Sequence, residues 1–233
     1  MNYTLIILGT ILVIVLVILY FKSGSSSITT QLYLKGSTAT IPMNTLSNPF
    51  SAQYTYSMWV CVNNLNNSDT YLFSIVDSST SSPKTFFQLY IDSTNNLKYG
   101  ITNNSTGETL ATANAKLAND TTIMTNFPLQ KWVFVLISVD NGSVIDIYIN
   151  GKLVKSQNAT IKPPTDKCTI NYGVSDAYVS KFKRTTTATD PTSVWSQYMQ
   201  GNGGSYFSSL FSSFGMNVVV TKDQLDYNKV TLF

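Results

Sequence analysis

The chain reads as an all-β protein, an antiparallel β-sandwich of jelly-roll type preceded by a single N-terminal transmembrane helix. Three observations predict this. In the stretch Lys131 to Ser156, two Asn-Gly pairs, Asn141-Gly142 and Asn150-Gly151, punctuate apolar, β-branched runs. Asn-Gly supplies the positive φ that both central residues of a type I′ hairpin turn require, so the stretch folds as three consecutive antiparallel strands. From about residue 30 onward, short apolar segments recur at near-regular spacing between turn-rich clusters, as in a sandwich or jelly roll. Residues 3–21 carry no charge, and as a helix these nineteen residues span ~28 Å, close to a hydrocarbon core of ~30 Å.

The anchor is assigned to residues 1–22. Tyr3 at one end, and Tyr20 and Phe21 at the other, suit an interfacial belt. A cleaved signal peptide fits less well, because no basic region precedes the apolar run and no small-residue cleavage site follows it. The first charges, Lys22 and Lys35, lie after the span, so the positive-inside bias points the large domain toward the cytoplasmic side. Residues 23–29 read as a short flexible linker, Ser23-Gly24-Ser25-Ser26-Ser27 at its centre.

The sandwich occupies residues 30–185. Gln31 to Leu34 and Thr38 to Pro42 read as short strands. Tyr54 to Val62 is a long strand with Trp59 and Cys61 on one face and Tyr56, Met58 and Val60 on the other. Tyr71 to Val76, Phe86 to Ile91 and Leu97 to Ile101 follow, and residues 102–126 read as a long polar surface loop. In the three-strand stretch the first strand is apolar on both faces, with Trp132, Phe134 and Leu136 opposite Val133, Val135, Ile137 and Val139. Such a strand belongs in the middle of a covered sheet. The next strand alternates, Ile145, Ile147 and Ile149 one way, Asp146, Tyr148 and Asn150 the other. Cys168 to Tyr172 and Ala177 to Phe182 close the domain. Residues 186–233 hold a short helix through Trp195 to Met199, opened by Asp190 and Pro191, then an aromatic loop at 205–214 and two closing strands.

Composition narrows function. Charged residues make up 12% of the 233, about half the usual share, while aromatics reach 12%. The chain has no histidine, which removes Ser-His-Asp and Cys-His catalysis and imidazole-dependent zinc sites. Cys61 and Cys168 are too far apart in sequence for a metal motif; a disulfide between them depends on the compartment. The net charge of +3 has no cluster behind it, and the run Lys181-Phe182-Lys183-Arg184 reads as solvated charge rather than a nucleic-acid patch. Six N-x-S/T matches follow the anchor, at Asn66, Asn103, Asn104, Asn119, Asn141 and Asn158.

Tyr54-Thr55-Tyr56-Ser57-Met58-Trp59-Val60 is similar to the early strand of the concanavalin A-like, laminin-G-like jelly rolls. Phe87 to Ile91 with Leu97 to Ile101 looks like their next hairpin. Lys131-Trp132 followed by Ile147 to Val154 resembles their most recognisable segment. The chain departs from them at Val133, where histidine is frequent, and at Asn150-Gly151, where Asp-Gly is frequent. Relatives of this type that hydrolyse glycans use an E-x-D-x-x-E strand, and this chain has a single glutamate, Glu108. The resemblance therefore implies no enzyme. Laminin-G-like domains often bind calcium at a loop rim, which makes Asp77, Asp92 and Asp140 candidates, although each also suits an ordinary turn. No other cofactor is implied.

The anchor, this domain and the Tyr198-Met199-Gln200-Gly201-Asn202-Gly203 segment together resemble virion-associated membrane proteins of large DNA viruses. That resemblance implies a minor structural protein on an internal virion membrane. It would face the capsid and tether it through contacts with lipid and with capsid or other virion proteins. The alternative is a membrane-anchored, lectin-like adhesion module at a cell surface that binds glycans.

Overall fold

The computed structural model describes residues 25–35, 40–65, 68–79, 81–103, 105–110, 116–161, 163–173, 175–202, 217–222 and 225–231. The expected anchor, 1–22, and the aromatic stretch 205–214 lie outside them. Among the described residues no helix is long and apolar enough to cross a membrane.

The strands, in chain order, are β1 (Ser25–Tyr33), β2 (Thr40–Pro42), β3 (Tyr54–Val62), β4 (Thr70–Asp77), β5 (Lys84–Ile91), β6 (Leu97–Ile101), β7 (Glu108–Thr109), β8 (Asn119–Met124), β9 (Val133–Asp140), β10 (Val144–Ile149), β11 (Lys152–Asn158), β12 (Cys168–Tyr172), β13 (Ala177–Thr185), β14 (Asn217–Lys222) and β15 (Leu225–Thr231); one helix, α1, spans Pro191–Met199. They form a six-stranded sheet, β1-β13-β3-β9-β10-β11, and a seven-stranded sheet, β2-β12-β4-β5-β6-β8 with β7 beside β5. All pairings are antiparallel, and β14 and β15 pair with each other.

Two corrections concern strand placement. The stretch read as a flexible linker is already an edge strand at Ser25, which pairs with Thr185. The stretch read as a loop, 102–126, contains β7 and β8, and Glu108 sits in a strand. Both misreadings share a cause. Edge strands rich in Ser, Thr and Asn bury few side chains, so they lack the apolar alternation that announces a strand.

The turns obey the Asn-Gly rule. Asn141 and Gly142 have φ of 49° and 62°, and Asn150 and Gly151 have φ of 50° and 78°. Ile149 pairs with Lys152 across the second turn, which sets the register of the β10–β11 hairpin. Alternation then sends Tyr56, Met58, Val135, Ile137, Ile145 and Ile147 into the space between the sheets, where they meet Phe73, Ile75, Phe87, Leu89, Tyr99 and Ile170. Phe182 is fully buried there, with ring centroids 4.9 Å from Phe73, 6.0 Å from Tyr172 and 6.1 Å from Tyr56.

The other face of β9 is buried too. Phe134 and Leu136 join Trp59, Tyr148 and Val194 of α1 in a second apolar cluster, with Trp132 and Tyr198 at its margin. Tyr198 stacks on Trp59 at 5.5 Å. Asp190 caps α1 by accepting the Thr192 and Ser193 N–H groups, both at 3.0 Å. At its other end Lys181 Nζ donates to the Gln200 and Gly201 carbonyls at 3.0 and 2.8 Å, partners that a helix terminus needs. The helix placed in the 186–233 segment is thus a layer of the sandwich itself.

The basic run at 181–184 is not solvated charge, which corrects the sequence reading. Phe182 is core and Lys181 holds the end of α1. Arg184 is 1% exposed, donates to Ser47 O at 2.8 Å and Pro49 O at 3.1 Å, and lies over the Tyr54 ring at 5.4 Å. The two cysteines are free thiols. Cys168 is in the core, whereas Cys61 shares its strand face with Trp59 on the outer side of the six-stranded sheet, so a bridge would have to cross a sheet.

Replacing Phe182 with alanine opens a cavity in the middle of this ring cluster. The expected loss of unfolding free energy is about 3–5 kcal/mol, read as a shift of the urea midpoint at unchanged slope.

Candidate functional site

The two sheets meet along the edge strands β8 and β11. Lys155 Nζ donates to Thr122 O at 3.0 Å and ties the edges together. Beside this tie lies a groove of about 330 Å³, lined by Ile101 and Asn103, by residues 118–121 and by residues 157–160. Its polar lining is Asn103, Asn119, Asp120, Thr121, Gln157, Asn158 and Thr160. Among these described lining residues, none is Lys or Arg and one is acidic. Side-chain amides and hydroxyls present both donors and acceptors without net charge, which suits a neutral polyhydroxylated ligand.

Neighbouring bonds position the lining. Asn119 Nδ2 donates to Asn103 Oδ1 at 2.9 Å. Asp120 accepts the Tyr90 hydroxyl at 2.6 Å, and Lys98 Nζ lies 3.4 Å from both Asp120 and Asp92. Burial, then the bond to Asp120, pushes the Tyr90 phenol far above its ordinary value. Tyr90 stacks on Tyr71 at 5.2 Å. The Tyr71 phenol is pushed up to about 12, first by burial and then by Asp69 and Asp120. Lys116 pairs with Asp69 at 3.2 Å and sits 5.4 Å from the centre of the Tyr90 ring.

Two short segments, β7 and residues 117–118, lie against this outer face. β7 pairs with β5, Leu117 N–H donates to Gln88 Oε1 at 3.2 Å, and Ala118 N–H donates to Glu108 Oε2 at 3.1 Å. Gln88 and Tyr90 are buried, although the core members of this part of β5 are Phe87, Leu89 and Ile91, with which they alternate.

The calcium candidates are not brought together. Asp77 pairs across β4 with Lys84, the first residue of β5, whereas Asp92 follows its last residue, Ile91. Eight residues of strand separate them by roughly 23 Å. Asp77 accepts Ser79 N–H at 2.9 Å, and Asp140 accepts Gln53 Nε2 at 2.8 Å. Asp92 accepts Thr94 N–H at 3.0 Å, Thr94 Oγ1 at 2.7 Å and Asn96 N–H at 2.9 Å. Asp77 and Asp92 are thus turn residues held by their own loops, and Asp140 is engaged by Gln53 from the segment before β3. Among the described residues no three His, Cys, Asp or Glu side chains converge as a metal site.

Sequence reasoning missed the groove because three separate segments build it. One signal did point there. Asn103, Asn119 and Asn158, three of the six N-x-S/T asparagines, all line it.

Two facing sheets with a polar opening at their edge define the class as a lectin-type β-sandwich. A model of the concanavalin A-like lectin/glucanases superfamily matches residues 35–198, well over half of the chain, and the chain belongs to that family. Solved structures share the fold. The botulinum neurotoxin serotype D binding domain is 16% identical with a TM-score of 0.51, over 74% of this chain and 43% of that one. The serotype D ligand binding domain in complex with N-acetylneuraminic acid is 13% identical with a TM-score of 0.52, over 77% and 45%. Trypanosoma rangeli sialidase in complex with 2,3-difluorosialic acid is 11% identical with a TM-score of 0.53, over 76% and 28%. The chain thus spans less than half the length of each, and at these identities the likeness is one of fold. No curated protein matches in sequence.

Asp92 yields a pH prediction. Desolvation opposes its charge, but bonds from Asn96 and Thr94 outweigh it and hold the carboxyl well below the usual range. The stabilisation is present above the ordinary aspartate pKa of about 4 and is lost as pH falls toward the folded value. The melting temperature of the protein should therefore drop below about pH 4, and Asp92→Asn should flatten that part of the profile.

Proposed function

We propose that this protein is a non-enzymatic carbohydrate-binding module, held at a membrane by residues 1–22, which takes a neutral glycan in the groove between β8 and β11. The observation that carries the reading is the groove itself, lined by amides, hydroxyls and one carboxylate, Asp120, on a lectin-type sandwich. Paired carboxylates flanking a glycosidic bond are not part of this chemistry. Asp120, bonded to Tyr90 and near Lys98, serves here as a fixed hydrogen-bond acceptor for a sugar hydroxyl. The lack of a cation in the lining favours a neutral sugar over a sialylated one.

A second reading, the structural tether between a membrane and a protein shell, is favoured by one observation. Leu153, Val154, Trp195 and Met199, on β11 and α1, are 51, 46, 45 and 60% exposed. Large apolar side chains in such a group are the usual stuff of protein contacts. Under that reading the protein sits on an internal virion membrane and faces the capsid; under the first it faces glycans.

A glycan array probed with the full chain decides between them. Saturable binding to neutral glycans is expected, weakened about tenfold or more by Asn158→Ala, since a lost pair of hydrogen bonds is worth about 1–3 kcal/mol. An array without saturable signal, together with recovery of the protein in purified particles, would move the tether reading ahead.

A further inference from the structure

The far edge of the six-stranded sheet carries a second group of polar and aromatic side chains. Tyr33 of β1 and Tyr178 of β13 are cross-strand partners whose rings stack at 4.6 Å with 29° between planes. Tyr33 is 38% exposed. Its hydroxyl donates to Asp176 Oδ1 at 3.0 Å. The same carboxylate accepts Asn63 Nδ2 on Oδ1 at 2.8 Å and Asn64 Nδ2 on Oδ2 at 2.9 Å, while Asn63 N–H donates to Asp176 O at 2.8 Å. The amides of Asn64 and Asn63 hold this carboxyl below the usual aspartate range.

The core does not call for these residues. Leu32 and Val179, their neighbours in sequence, make the core contacts on the opposite face. The bonds to Asp176 fasten the Asn63–Asn64 turn, but that fastening needs no exposed tyrosine ring stacked on a half-buried one. What the cluster offers is an open aromatic plane beside a carboxylate and two amides, each locked in place by the others. A pyranose presents the complement, an apolar C–H face with hydroxyls at its rim.

We infer that this cluster is a second carbohydrate subsite, for a neutral pyranose that stacks on Tyr33 and bonds through its hydroxyls to Asp176, Asn63 and Asn64. The fixed anion accepts hydroxyl protons and repels the carboxylate of an acidic sugar. The inference rests on the reading of the domain as a carbohydrate binder, but it uses none of the groove residues. β1 and β11 are opposite edges of one six-stranded sheet. Asn158 lies level with Asp140 and Gln53, and Tyr33 with Cys61, so the sites are five strand spacings across and eight residues along the sheet from each other, roughly 35 Å in all, and two glycans, or two arms of one long glycan, can be held together with a gain in avidity.

The test uses the full chain in a detergent that is not itself a glycoside. Methyl glycosides of galactose, glucose and mannose are titrated by saturation-transfer NMR, with N-acetylneuraminic acid as the acidic comparator. At least one neutral glycoside should bind saturably, with a contribution that Tyr33→Ala weakens about tenfold and Tyr33→Phe largely preserves. Asp176→Asn should weaken the same contribution and relax the exclusion of N-acetylneuraminic acid. Should Tyr33→Ala fail to fold, Asp176→Asn and Tyr33→Phe carry the test. Binding that ignores the Tyr33 and Asp176 variants but disappears with Asn158→Ala overturns this inference and leaves the groove reading standing. Binding lost with Tyr33→Ala and untouched by Asn158→Ala does the reverse. Absence of saturable binding for all three neutral glycosides overturns it outright.

Discussion

The double burial of β9 is the constraint on which the rest depends. A strand with Phe134 and Leu136 on one side and Val133, Val135 and Ile137 on the other has no side to give to water. One face requires the second sheet, and the other requires α1. Burying each of these large side chains contributes about 1.5–3 kcal/mol, so leaving either face open would cost several. The helix is short, and its own propensity could not hold it. It stays because Trp59, Phe134 and Tyr148 need a cover, and because Asp190 and Lys181 satisfy its two ends. A three-layer arrangement follows, and it leaves the sheet edges as the places where anything can enter.

Much of this was legible in the residues. The two Asn-Gly pairs announced the turns, and β3, β6 and β12 run between the residues that alternation assigned to them. The two-faced apolar pattern of β9 required a cover before the helix was seen. The misses are equally physical. β8, N-D-T-T-I-M, sends one buried apolar residue, Ile123, into the core, too little to show as a period of two. β1 is an edge strand that opens on Ser-Ser-Ser-Ile-Thr-Thr, with a single apolar residue in six. The 181–184 run misled because a bulge at Lys181, with φ of 49°, breaks the alternation and turns Arg184 inward.

Binding chemistry was harder to read than fold for a general reason. A core is built from periodic patterns within single strands, whereas the groove draws on three segments and the tyrosine cluster on β1, β13 and the turn after β3. Their members are Asn, Asp, Thr and Tyr, residues this chain uses everywhere. Turn aspartates such as Asp77, Asp92 and Asp140 looked like ligands for the same reason, since a carboxylate that organises a turn and one that binds a cation are the same letter. The difference is spatial convergence, and these three carboxylates do not have it.

The position of Asn103, Asn119 and Asn158 around the groove would tie glycosylation to access to it. All three are exposed, and each starts an acceptor triplet for oligosaccharyl transfer. An attached oligosaccharide would stand in the groove and occlude it. A domain on the lumenal side of a membrane would meet the transferase, and one on the cytoplasmic side would not. The same short loops thus carry both the groove and the triplets whose modification would close it.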